Sequence, residues 1–183
     1  TVRNGQLLLT NGTIPTAAVT ANLANVTDFT IEGGGGIHLD NTSSLPANRI
    51  SDTATITLNN TAPNSTVTTV GLSLFSDQIA SSSSLVPSGV RGETVGSVIL
   101  GAGVNTVRAS AGAAGAIAML TMADLTRTNN ATLVVIGSNL DSPTATQRAD
   151  LVVTNAASIT AALVGGGSSM NPERTVRDRQ RRN

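Results

Sequence analysis

The 183-residue chain balances 11 arginines against 11 acidic residues, so its formal net charge is zero, and only 12% of it is charged. It has no Cys, Trp, Tyr or Lys, and Phe29 and Phe75 are its only aromatics. These figures exclude a disulfide-stapled fold and argue against ordinary disorder, which combines low hydrophobicity with high net charge.

From the N-terminus, Gln6-Leu7-Leu8-Leu9-Thr10 reads as a strand, Asn11-Gly12 as a turn, and the piece through Ile14-Pro15 as a second extended segment. Ala17 to Val26 fits a short helix or another strand. Phe29-Thr30-Ile31 alternates, and Gly33 to Gly36 then suit a sharp corner, where a positive φ penalises any side chain. Two strands lie between Ile37 and Asn60, around a connector from Thr42 to Asp52. Val67 to Phe75 is the longest alternating run, and Ser81 to Gly89 reads as a Ser-rich surface loop. Thr94 to Leu100 and Asn105 to Ala109 are strands split by Gly101-Ala102-Gly103. Leu120 to Leu125 is ambiguous, whereas Thr132 to Ile136 and Asp150 to Thr154 are strands. Ile159 to Val164 reads as a last rung and Gly165 to Ser169 as a linker.

One short phrase recurs along this path: β-prone residues alternate with small polar ones, then Gly or Asn stops the run. Ile37-His38-Leu39-Asp40-Asn41, Ala54-Thr55-Ile56-Thr57-Leu58-Asn59-Asn60 and Ala131-Thr132-Leu133-Val134-Val135-Ile136-Gly137 are copies. Its spacing is that of stacked rungs in a β-solenoid. The aliphatic content fits a narrow interior in which side chains stack on copies of themselves, whereas a wide core would use aromatics. Coils of ~20–25 residues give about seven or eight coils, and strands ~4.8 Å apart give a rod of ~35–40 Å. The expected organisation is an N-terminal strand or cap segment over 1–29, a solenoid body over 30–164, and a Gly/Ser linker with an Arg-rich tail over 165–183.

Four segments resemble the autotransporter-associated β-strand repeat, in that family's order. They are Gly35-Gly36-Ile37-His38-Leu39-Asp40-Asn41; Asn48-Arg49-Ile50-Ser51-Asp52 running on to Asn59; Glu93-Thr94-Val95-Gly96 running on to Val107; and Leu125-Thr126-Arg127 with Ala131 to Gly137. The match covers about residues 30–155. The resemblance implies a right-handed parallel β-helix, exported to a cell surface, doing adhesive or scaffold work without catalytic residues. The chain departs from the family in its Arg tail and in having no membrane-embedded barrel. Its start at Thr1, without initiator Met or signal-peptide pattern, is expected of a processed product or a fragment.

The chemistry-bearing residues are few. His38 is the only histidine, so a Ser-His-Asp triad would have to use it. It alternates with Ile37 and Leu39, which predicts an outward, exposed imidazole, and no G-x-S-x-G elbow accompanies it. Without lysine, Gly33 to Gly36 cannot belong to a Walker loop, and a calcium nonapeptide counted from Gly33 places His38 where Asp is needed. Asp40 with Asp52 or Asp28 is the remaining candidate for Ca²⁺, weighed against solvated carboxylates. The acids Asp28, Glu32, Asp40, Asp52, Asp77, Glu93, Asp124, Asp141 and Asp150 are spread singly. The sequons at Asn11, Asn25, Asn41, Asn59, Asn64 and Asn130 read as turn caps or asparagine ladders rather than glycosylation sites.

Residues 170–183 carry Arg174, Arg177, Arg179, Arg181 and Arg182 against Glu173 and Asp178, a net +3 that leaves the remainder at −3. This candidate assembly tail has no interleaved aromatics, so nucleic-acid binding by stacking has no support. The expectation is a non-enzymatic, secreted or cell-surface β-solenoid without a cofactor, whose partner is another copy of itself or a matrix component. The alternatives are a carbohydrate-binding or carbohydrate-cleaving β-helix and a β-rich virion or capsid protein with a basic arm.

Overall fold

The computed structural model describes residues 1–9, 11–14, 17–20, 23–40, 49–61, 71–76, 90–112, 116–140, 147–155 and 157. Its strands are β1 (Val2–Arg3), β2 (Gln6–Leu9), β3 (Asn11–Ile14), β4 (Ala17–Thr20), β5 (Asp28–Glu32), β6 (Gly36–Asp40), β7 (Thr55–Asn60), β8 (Gly71–Ser76), β9 (Val90–Ala111), β10 (Ile117–Arg127), β11 (Thr132–Gly137) and β12 (Arg148–Val153). β3 and β4 form an antiparallel hairpin. All other pairings are parallel and stack coil on coil, as a β-solenoid requires.

The first sheet runs β1-β5-β7-β9-β10-β12 and the second runs β2-β6-β8-β9-β11, with the long strand β9 shared by both. Each coil passes from the first sheet to the second over a short corner. Hydrophobic alternation dictates this arrangement. In β7, Ile56 and Leu58 are fully buried, while Thr55 and Thr57 between them are half-buried on the other face. Stacking in register turns these positions into ladders. Phe29, Ile56, Val98 and Leu125 form one in the first sheet. Leu7, Ile37, Leu72, Val107 and Val135 form another in the second, followed by Leu9, Leu39, Leu74 and Ala109. Each fully buried aliphatic side chain contributes about 1.5–3 kcal/mol relative to exposure.

The first sheet itself bends. In the first-sheet part of β9 the buried side chains are Glu93 and Val95, then Val98 and Leu100; in β10 they are Ala118, Leu120 and Met122, then Leu125. The inward parity slips by one residue at Gly96 and Ala123, the one step at which β9–β10 pairing is interrupted. The sheet therefore has a first leg, containing β12 and the leading halves of β9 and β10, and a second leg containing β1, β5, β7 and their trailing halves. The bridge between Leu23 and Ile50 continues the first leg toward the N-terminus.

The corners into the second sheet use left-handed backbone: Asn4 at φ 52°, Gly33 at 61°, Gly103 at 72°, and Asn129 and Asn130 at 49° and 54°. Asn tolerates this region and Gly is free in it. The tetraglycine is thus a corner, as expected, with Gly33 its positive-φ residue. Asn105 braces the next corner from inside. Fully buried, its Oδ1 accepts the Asn60 amide at 3.0 Å, and its Nδ2 donates to the carbonyls of Ala102 at 3.0 Å and Gly103 at 3.4 Å.

Several details differ from the sequence expectations. Asn11-Gly12 lies within β3, not in a turn. Gly101-Ala102-Gly103 bends β9 without ending it, because a shift of register between Leu58 and Asn59 accommodates the extra residue. The ambiguous segment is the interior of β10. The described residues stack six strands in the first sheet and five in the second, fewer than seven or eight coils. Coils are longer than expected: 27 residues separate Ile31 from its rung-mate Leu58, and 42 separate Leu58 from Leu100. β1 and β2, from the N-terminal segment, are already strands of the two sheets.

Candidate functional site

The most elaborate polar cluster lies inside the rod. Arg49 and Ile50 are fully buried and Glu93 is 1% exposed. The Glu93 carboxylate accepts the Ile50 amide at 2.7 Å and the Arg49 amide at 3.2 Å. The Arg49 guanidinium donates through Nη2 to the Asp40 carbonyl at 2.6 Å, and the Arg49 carbonyl accepts from the Leu23 amide at 2.6 Å. A side chain here supplies the acceptors that a neighbouring strand would otherwise provide for buried amides. Burial pushes the Glu93 carboxyl above its ordinary range, against the two amides and the nearby Arg49 charge, which favour the anion. Burial likewise pulls the Arg49 guanidinium down, against Asp40 and Glu93. With both oxygens engaged by backbone amides, the carboxylate acts as an internal brace between coils. Sequence reasoning missed it: Arg49 and Glu93 stand in two separate family-like segments, and nothing in either segment announces their meeting.

The residues singled out for chemistry are dispersed. His38 sits on the outward side of β6, between Leu8 and Ser73 of the flanking strands, while Ile37 and Leu39 are fully buried. The imidazole is half-buried, not exposed as its alternation predicted. The Ser73 hydroxyl donates to the Ile37 carbonyl at 3.3 Å, so its proton is not directed at His38. Asp28 is exposed and accepts from the Thr27 hydroxyl at 2.9 Å, Asp52 is exposed, and Asp40 lies beside Arg49. Among the described residues, no group of three or more His, Asp or Glu is placed to hold a metal ion. Asp77, Asp141 and the five tail arginines lie outside the described residues.

Two surfaces remain. An open groove of about 310 Å³ at the N-terminal corner is lined by Arg3, Asn4, Glu32, Gly33, Asn59 and Thr61. There Arg3 pairs with Glu32, its Nε at 2.9 Å, and Asn4 Oδ1 accepts the Gly34 amide at 3.2 Å. The other surface is the pair of rod ends. β2 and β11 are the terminal strands of the second sheet, each with one edge that carries no strand among the described residues. Val107 in the inward ladder is 1% exposed, whereas Val135, the next rung-mate, is 48% exposed. Leu140 and Val152 are also exposed near that end, at 41% and 37%. No helix among the described residues is long and apolar enough to cross a membrane. The chain matches no family model, no curated protein and no solved structure.

Proposed function

We propose that this chain is a non-catalytic structural module of an extracellular surface or matrix, a right-handed β-solenoid that associates with itself end to end. One observation carries the reading. One aliphatic ladder, from Leu7 to Val135, runs through the second sheet and reaches its end still open, with inward-row Val135 half exposed beside a strand edge that lacks a described partner. Such edges recruit further strands, and a head-to-tail contact between them is heterologous and propagates into a filament. The right-handed sense is the one that parallel crossovers favour. The resemblance to autotransporter-associated repeats supports export and scaffold work, and the polar cluster that could have argued for chemistry is engaged as a brace. In this reading the Arg tail is a strap that strengthens the end-to-end contact. Electron microscopy at physiological concentration tests the proposal: filaments are expected, and monodisperse short rods would reject it. Deleting 170–183 should weaken assembly in a salt-sensitive way, and unchanged assembly would show that the tail is no strap.

A second reading has one observation in its favour. The groove lined by Arg3, Asn4, Glu32 and Asn59 offers donors and acceptors side by side, as a neutral polyhydroxylated ligand needs. Screening on a glycan array, with turnover assays, would reveal a carbohydrate-binding or carbohydrate-cleaving β-helix; binding abolished by Asn59→Ala would establish it, and an empty array would end it.

A further inference from the structure

We infer that the partner of the β11 edge is β2 of a second copy, in the register that sets Leu7 of one molecule on Val135 of the next. This rests on the end-to-end reading above and names its interface. Continuity of the ladder is the first support. Leu7 opens the ladder that passes through Ile37, Leu72 and Val107 to Val135, so both ends of the ladder present an aliphatic residue at the same height on the same face. Stacking Leu7 on Val135 repeats a contact already made four times within the molecule, and it buries a side chain that is now 48% exposed.

The shapes of the two ends are the second support. At the N-terminal end the path starts on the second leg, with β1, and passes to β2. Among the described residues, the first leg joins at Leu23, one coil later. At the C-terminal end the order is reversed. β12 adds a strand to the first leg beyond β10, while β11 is the last strand of the second sheet among the described residues. Among the described residues, each end therefore lacks what the other supplies: β12 stands where the next copy has no described first-leg strand, and the β1 and β2 of that copy fill the step beside it. A contact between two like ends would set step against step and leave Val135 open. The interface is thus directional.

Because the chain has no cysteine, the register can be read by cross-linking. Leu8 and Ile136 lie one residue further along the same register, on the outward side, so neither substitution enters the core. Parallel rung-mates stand ~4.8 Å apart, within the Cα separation of about 4.4–6.8 Å that a disulfide bridges. A mixture of Leu8→Cys and Ile136→Cys proteins should yield a disulfide-linked dimer under mild oxidation, with neither variant cross-linking alone. Val135→Asp should reduce assembly at least tenfold, measured by sedimentation, while leaving the circular dichroism and unfolding midpoint of the dispersed protein unchanged. Assembly without the mixed cross-link would overturn the inference while leaving self-association standing. Cross-linking of Ile136→Cys alone, which signals a symmetric contact, would overturn it in the same way. A wild-type protein that does not sediment at any concentration would overturn both.

Discussion

Replacing Glu93 by Leu removes the brace at the centre of the rod. Two buried amides, those of Arg49 and Ile50, lose their acceptor, and the buried guanidinium loses a nearby countercharge. Each stranded buried amide costs about 1–3 kcal/mol. Two such amides set the expected loss at about 2–6 kcal/mol, a large part of a typical domain's ~5–15 kcal/mol. In urea, with a mid-range slope of about 2 kcal/mol per molar, the midpoint should fall by about 1–3 M with the slope unchanged. Adding Arg49→Met should recover the part owed to the guanidinium and leave the part owed to the amides, a split that a double-mutant cycle reads directly. A Glu93→Leu loss below about 1 kcal/mol, the size expected of a surface acid, would refute the brace.

The remaining predictions concern pH, packing and corners. A carboxyl whose native pKa is raised binds its proton more tightly in the folded state, so its contribution to stability is complete below the unfolded value of about 4.3 and is lost as pH rises through the raised native value. Wild-type stability minus that of Glu93→Gln, from urea titrations across that interval, should therefore decline with increasing pH; a difference that grows with pH would contradict the burial-dominated environment of Glu93. Leu74→Ala, in the fully buried second-sheet ladder, should cost about 2–5 kcal/mol by thermal or urea unfolding. Gly103→Val should destabilise by at least about 1–2 kcal/mol, because φ is 72° there and a Cβ would collide with the Asn60 carbonyl. Arg3→Ala, which breaks the solvent-facing pair with Glu32, should change stability by about 1 kcal/mol or less.

What could be read in advance follows from where the physics is local. Thr55-Ile56-Thr57-Leu58 declares a half-buried strand by strict alternation, and β7 is that strand. Gly33 to Gly36 declare a corner because the backbone requirement sits in the residues themselves. β10 was illegible for an equally specific reason. Its inward positions, Leu120, Met122 and Leu125, change parity at the bend by Ala123, so a period of two breaks in mid-strand. Gly101-Ala102-Gly103 looks like an end because glycine usually punctuates, yet here Asn105 and the register shift hold β9 together through the bend. The pairing of Arg49 with Glu93 spans 44 residues. It depends on how much chain each coil inserts before returning to the same leg, and alternation within a strand does not encode that length. The same variation in coil length is why a uniform ~20–25 residues per coil predicts more rungs than the described residues stack.

Stacked rungs that continue from one copy into the next are the central claim. Diffraction or the power spectrum of aligned assemblies measures this directly. Strands perpendicular to a continuous rod axis should give a reflection at ~4.8 Å along the filament axis. Filaments without that axial spacing, or particles that stay single at every concentration, would contradict it.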